Sequence, residues 1–233
     1  MFGYRFILTS LVLSVLCFGY DNRAHAFVSW ANSSGSATFF DWSGGGSQLG
    51  LFGDPILVGG QTFVFFPSGF RAESVGGGTT TVSDRLEVIL TAHSGYRFTD
   101  VQISEDGDYG ILGTGEVGLN GSLSAMDMTQ PLSRTKSDSF VTTPDMLITT
   151  TTFDSGTWSA QAGVDLAGDT VDWTCLKLVI ENELVAISQA GSTAFIEKKI
   201  VGSTLALTIV PEPAAFLFLL VGALFAVRCR RPF

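Results

Sequence analysis

The stretch Leu86-Glu87-Val88-Ile89-Leu90-Thr91 decides the fold. Leu86, Val88 and Leu90 alternate with Glu87, Ile89 and Thr91, so one face of the segment is wholly apolar and the other is mixed. That is the period of a half-buried strand. The same period recurs outward from it. Val101 and Ile103 alternate with Gln102 and Ser104, and Phe195-Ile196 leads through Glu197-Lys198-Lys199 into Ile200-Val201. No long 3.6-residue apolar pattern carries a convincing helix cap. Val, Ile, Thr and Phe are frequent, with Thr149 to Thr152 set between Ile148 and Phe153, and glycine punctuates the chain at Gly44 to Gly46, Gly59-Gly60, Gly76 to Gly78 and singly from Gly107 to Gly121. Short alternating runs separated by turn residues predict an all-β protein of roughly a dozen strands. Two sheet faces need cover, which points to a β-sandwich. Ser124 to Pro144 is mostly polar and carries Pro131, and reads as a long loop or a connection between sheets.

The two ends have a different character. Arg5 is followed by an apolar run from Phe6 to Phe18, broken only by Thr9, Ser10 and Ser14, and then by Ala24-His25-Ala26. A basic start, a short apolar region and small residues at Ala24 and Ala26 make residues 1–26 a secretory signal peptide, to be cut after Ala26 by signal peptidase. An uncleaved anchor fits less well, because spanning a bilayer takes about 20 apolar residues. A lipoprotein site at Cys17 lacks the small residue wanted just before the cysteine.

Near the other end stands Pro211-Glu212-Pro213, a rigid tripeptide, since each proline fixes φ and disfavours helix in the residue before it. Ala214 to Val227 follows, an uncharged apolar stretch of 14 residues, and then a basic cluster of Arg228, Arg230 and Arg231. By the positive-inside rule the cluster stays in the cytoplasm and the bulk of the chain outside. A helix of that length reaches only about 21 Å, short of a hydrocarbon core of about 30 Å. This suits a temporary anchor better than a permanent one, with a plain membrane anchor as the alternative.

The order of signal peptide, P-E-P tripeptide, apolar segment and arginine cluster resembles the PEP-CTERM sorting domain, over Val210 to Phe233. The resemblance implies cleavage near Pro211, Glu212 and Pro213 by an exosortase, with Arg228, Arg230 and Arg231 as the stop signal. It also implies transient membrane contact through 214–227 and release of the passenger to the envelope, surface or extracellular matrix. The resemblance further implies a bacterium that makes exopolysaccharide, which is therefore a candidate partner. Three internal stretches also resemble passengers that carry this tail: Leu49-Gly50-Leu51-Phe52-Gly53 through Phe70-Arg71-Ala72-Glu73-Ser74, Ser94-Gly95-Tyr96-Arg97 through Tyr109, and Ala194 to Lys199. They imply a β-rich passenger and bring no activity with them.

The chain thus divides into 1–26, a passenger at 27–210 and a tail at 211–233. The passenger has 184 residues, about one domain, long enough to bury a core without covalent staples. Of 13 basic and 22 acidic residues it keeps 8 and 20, a net charge of −12. A field of that sign repels nucleic acid and anionic lipid. Of Cys17, Cys175 and Cys229 only Cys175 remains, so no internal disulfide can form, and its apolar neighbours make it a buried small hydrophobe.

Candidate chemistry is sparse. Gly113-Thr114-Gly115-Glu116-Val117-Gly118 matches a dinucleotide fingerprint, but Leu119-Asn120-Gly121-Ser122 continues as a turn where a helix is required, so a glycine-rich hairpin is the better reading. Glu105-Asp106-Gly107-Asp108, with Glu116 further on, offers carboxylates for calcium, but Gly110 stands where a loop of alternating ligands wants a third side chain; a solvated turn is the better reading. His93 is the one histidine of the passenger, which excludes a zinc site built on several histidines, and no nucleophile elbow accompanies it. Trp30, Trp42, Trp158 and Trp173 read as core, and a sugar-stacking face needs at least two of them exposed and coplanar. The expectation is a non-catalytic structural or interaction passenger with no cofactor and no metal. A carbohydrate-binding module for the producer's exopolysaccharide is the alternative, and a secreted glycoside hydrolase, whose carboxylate pair sequence alone does not select, a more distant one.

Overall fold

The computed structural model describes residues 27–67, 69–129, 134–145, 147–199 and, as backbone, 205–213. Regular structure among them is entirely β. The strands are β1 (Val28–Ser29), β2 (Gly35–Ser36), β3 (Phe40–Ser47), β4 (Ile56–Val58), β5 (Thr62–Phe65), β6 (Arg71–Val75), β7 (Gly78–Ala92), β8 (Tyr96–Leu112), β9 (Gly115–Asp127), β10 (Thr135–Ser139), β11 (Val141–Thr143), β12 (Leu147–Thr150), β13 (Phe153–Asp165), β14 (Cys175–Ser188), β15 (Thr193–Lys198) and β16 (Leu205–Pro213). The signal helix expected over 1–26 and the transmembrane helix expected over 214–227 lie outside the described residues.

The strands form two sheets packed as a sandwich. One runs β1-β3-β7-β14-β9-β10, with β2 also on β3 and β12 on β9; the other runs β11-β13-β8-β16-β5-β4, with β15 joining β8 to β6. In the second sheet β8 carries β13 along one edge, and β15 and β16 end to end along the other. Alternation fills the space between the sheets. Leu86, Val88 and Leu90 of β7 meet Val101 and Ile103 of β8, Leu178, Ile180 and Leu184 of β14 and Ile196 of β15 in one core. Its bulk comes from Phe40, Phe52, Phe63, Phe65, Phe70, Trp158 and Trp173, all buried.

Two polar features shape this core. Asp84 lies in the inward phase of β7, yet its carboxylate is not stranded. It accepts hydrogen bonds from the Ser47 hydroxyl (2.8 Å) and from the backbone N–H groups of Leu49 (2.9 Å) and Leu51 (2.8 Å). The loop after β3 is thereby tied down, and Phe52 is delivered edge-on to Phe65 and Phe70. At Gly107 of β8 a Cβ would stand 2.3 Å from the Trp158 ring and 2.1 Å from the Glu197 carbonyl, so only glycine lets that indole lie against the strand.

Two expectations need correction and one alternative is decided. Ser124 to Pro144 is the connection between sheets rather than a plain loop: Ser124 to Asp127 finish β9, and β10 and β11 follow in opposite sheets. Its polar residues in β10 and β11 lie at sheet edges, where these strands bury none of their side chains fully. The glycine-rich turn is not a hairpin. Gly113, at φ 87°, and Thr114 carry the chain from β8 in one sheet to β9 in the other, and the Ser192 hydroxyl accepts the Thr114 N–H at 2.9 Å. Cys175 is half-exposed rather than buried, because β14 turns its odd positions outward; its sulfur lies 3.5 Å from the Thr91 hydroxyl.

Candidate functional site

Strand alternation separates the acidic cluster. Glu105 points into the core, whereas Asp106 and Asp108 face out on β8, and Asp108 is paired with Lys199 at 3.1 Å. Glu116 belongs to β9 in the other sheet. Among the described residues no three metal-ligating side chains converge. His93 lies just past the end of β7, its Nε2 3.1 Å from Asp41 Oδ1 at the surface. The Ser36 hydroxyl, and then His93, hold the Asp41 carboxyl below the usual carboxylate range.

Of the four tryptophans, Trp30 (5 % exposed), Trp158 (2 %) and Trp173 (1 %) are buried, so the paired aromatic platform that sugar stacking needs is not built from them. Trp42 differs. Placed on β3 opposite Gly35 of β2, it is half-buried, stands edge-on to Phe63 and donates its indole N–H to the Asn32 carbonyl at 3.2 Å. With Asn32, Ser34, Pro55, Ile56 and Leu57 it lines a hollow of about 380 Å³. The hollow thus offers one half-buried indole, an apolar floor and a few short polar groups.

A second polar assembly closes one end of the sandwich. The Arg134 guanidinium lies 4.1 Å over the Trp173 ring, pairs with buried Asp127 (Nε to Oδ2 2.9 Å) and donates to the carbonyls of Val171 (2.6 Å) and Asp172 (3.3 Å). Asp169 accepts from the Trp173 indole (2.7 Å) and pairs with Lys136 (2.9 Å). Burial pushes the Asp127 carboxyl up, but the Thr129 hydroxyl and N–H together with Arg134 outweigh it and hold the group below its ordinary value. Each partner is bound to another side chain or a carbonyl, which is a structural clamp.

The proline tripeptide lies in strand. β16 pairs with β8 so that Pro211 faces Phe98, Glu212 faces Arg97 and Pro213 faces Tyr96, with a register shift between Val210 and Pro211. Proline lacks the N–H that a ladder needs. Of these three residues only Glu212 can donate, so this end of β16 is held by fewer bonds than the run before it. Ala24 and Ala26 of the expected signal-peptidase site and Arg228, Arg230 and Arg231 of the expected stop signal lie outside the described residues.

Sequence inspection missed the buried polar trio Glu105, Asn182 and Lys198. The available signal was phase: Glu105 follows Val101 and Ile103, Asn182 follows Leu178 and Ile180, and Lys198 follows Ala194 and Ile196, each at an inward position.

The described residues thus form an all-β sandwich with an aromatic hollow and a last described strand that ends in Pro-Glu-Pro. No family model matches the chain, and no curated protein matches it. Among solved structures it is similar to TmCBM61 in complex with beta-1,4-galactotriose, at 12 % identity over 79 % of this chain and 100 % of that one, with a TM-score of 0.22. The enzymatically active domain of bacteriophage CBA120 tailspike protein 4 is 11 % identical over 60 % of this chain and 19 % of that one, TM-score 0.18. Infectious bursal disease virus Gt strain gives 12 % over 70 % and 48 %, TM-score 0.16. Likeness at this level identifies no ligand and no activity.

Proposed function

We propose that the chain is an exported β-sandwich passenger with a non-catalytic, interaction role, sorted to the envelope, surface or extracellular matrix by a PEP-CTERM tail that an exosortase removes. The observation that carries the reading is the position of Pro211-Glu212-Pro213 at the end of β16, beside β8. Cleavage after the motif leaves every described strand with the passenger. The missing donors of the two prolines let this end peel away to enter a protease without unzipping the rest of β16. The test is expression in an exosortase-bearing host and in the same host without the protease. The reading expects a shortened, membrane-free chain only in the first, and retention when all three motif residues are replaced by alanine. Equal size and equal fractionation in both hosts would sink it.

A second reading, that the passenger binds a single saccharide unit on one indole rather than a chain across a paired platform, draws on the Trp42 hollow. Titration with the producer's extracted polysaccharide should shift tryptophan fluorescence, and Trp42→Ala should abolish the shift. A folded protein with no response at high polysaccharide concentration would end this reading.

A further inference from the structure

Three polar side chains meet between the two sheets. Glu105 of β8 is fully buried, as are, to within a few per cent, Lys198 of β15 and Asn182 of β14. Lys198 Nζ contacts Glu105 Oε2, while Asn182 Nδ2 donates to Glu105 Oε1 at 2.6 Å. One carboxyl group therefore holds an amine on one oxygen and a carboxamide on the other. Asn182 Oδ1 has no hydrogen-bond partner among the described residues. The surroundings are apolar and aromatic: Nζ lies 5.0 Å from the centroid of the Phe70 ring and 5.4 Å from that of Trp158. Gly107, paired with Lys198 across the ladder, admits the Trp158 indole against this spot.

A charged pair is costly in such a place, and a neutral one is not. Burial, opposed by the neighbouring carboxyl, lowers the Lys198 pKa. An amine without its proton is a nucleophile. Bound to the same carboxyl group as a carboxamide, in an apolar interior, it gains the advantage of a preorganised intramolecular reaction, and water, the competing nucleophile, is kept out.

We propose that Lys198 and Asn182 join in an intramolecular isopeptide bond, with Glu105 as the proton carrier. Glu105 takes a proton from Nζ, and the free amine attacks Asn182 Cγ. The acid stabilises the oxyanion that develops on Oδ1, the atom now without a partner, once the carboxamide turns to present it. Glu105 then moves a second proton from Nζ to Nδ2. The Nζ–Cγ bond forms, the Cγ–Nδ2 bond breaks, and ammonia leaves. Amine and carboxamide become secondary amide and ammonia, with no oxidant, reductant or external reactant. Glu105 is a catalytic residue here because it touches both reacting groups. The product ties β14 of one sheet to β15 of the other and replaces a buried charge by a neutral amide. It supplies a covalent staple to a fold whose described residues hold one cysteine and hence no internal disulfide.

The test is the mass of the purified full chain after denaturation, with its termini read from peptides. The inferred bond leaves the chain lighter than its sequence by one ammonia. A glutamate-specific protease, cutting after Glu181, Glu183 and Glu197, then yields Asn182-Glu183 branched on the peptide that begins at Lys198. Glu105→Gln, close in shape, should fold, keep its ammonia and give the two peptides separately. Folded wild-type chain at its full sequence mass, with Asn182 and Lys198 in unmodified peptides, would overturn the proposal outright. Ammonia loss persisting in Glu105→Gln would overturn the role given to Glu105.

Discussion

Asp84→Ala removes a carboxylate that accepts four hydrogen bonds: from the Ser47 hydroxyl and from the N–H groups of Leu49, Leu51 and Arg85. Hydrogen bonds to a charged acceptor contribute about 1.5–3 kcal/mol each, though not additively within one cluster. Water reaches the opened loop and recovers part of the loss, so the expected net destabilisation is about 3 kcal/mol. At a urea slope of about 2 kcal/mol per molar, the unfolding midpoint should fall by about 1.5 M with the slope unchanged. Asp84→Asn keeps one acceptor oxygen and should cost about half as much. The loop that Asp84 holds also delivers Phe52 to Phe65 and Phe70. Phe52→Ala alone should cost about 3–5 kcal/mol, and the double variant should cost less than the sum by about 1 kcal/mol, because the anchor and the anchored ring act together. A shift below about 0.5 kcal/mol for Asp84→Ala, or strict additivity with Phe52→Ala, would refute this account of the loop.

Arg134→Lys keeps a positive charge but loses the fork on Asp127 and the stack on Trp173, and thermal unfolding should show a loss of about 1–2 kcal/mol. Gly107→Ala drives a methyl into the Trp158 ring and the Glu197 carbonyl; urea unfolding should show a loss of about 3 kcal/mol or failure to fold. Asp127 has a depressed pKa in the folded state, so its contribution to stability is fully present above its unfolded value near 4 and is lost as pH falls below that toward the folded value. Urea midpoints measured from pH 6 to pH 3 should therefore decline most steeply at the acid end, and less steeply in Asp127→Asn.

Much of the sandwich was written in residue phase. The run Leu86 to Thr91 lies in β7 with Leu86, Val88 and Leu90 inside, and three of the four tryptophans are core. The phase rule also marked Glu105, Asn182 and Lys198 as inward. Glu105 reads instead as part of a solvated turn, because carboxylates are mostly exposed, whereas it lies buried in mid-β8. Which inward polar groups share one site depends on how β8, β14 and β15 are paired and stacked, and local alternation carries no information about that. The same gap explains the turn at Gly113: its glycine is legible, but whether the chain folds back within a sheet or crosses to the other is a property of the topology. Cys175 failed for a simpler reason. Its apolar neighbours suggested burial, whereas the odd phase of β14 faces out.

The central claim is that the passenger leaves its tail behind, and the terminal peptides of the chain recovered from the cell that makes it test this most directly. The account predicts a chain that begins at Phe27 and ends within Pro211 to Pro213, with residues 214–233 absent. A chain in the membrane fraction that keeps Ala214 to Phe233 would contradict it.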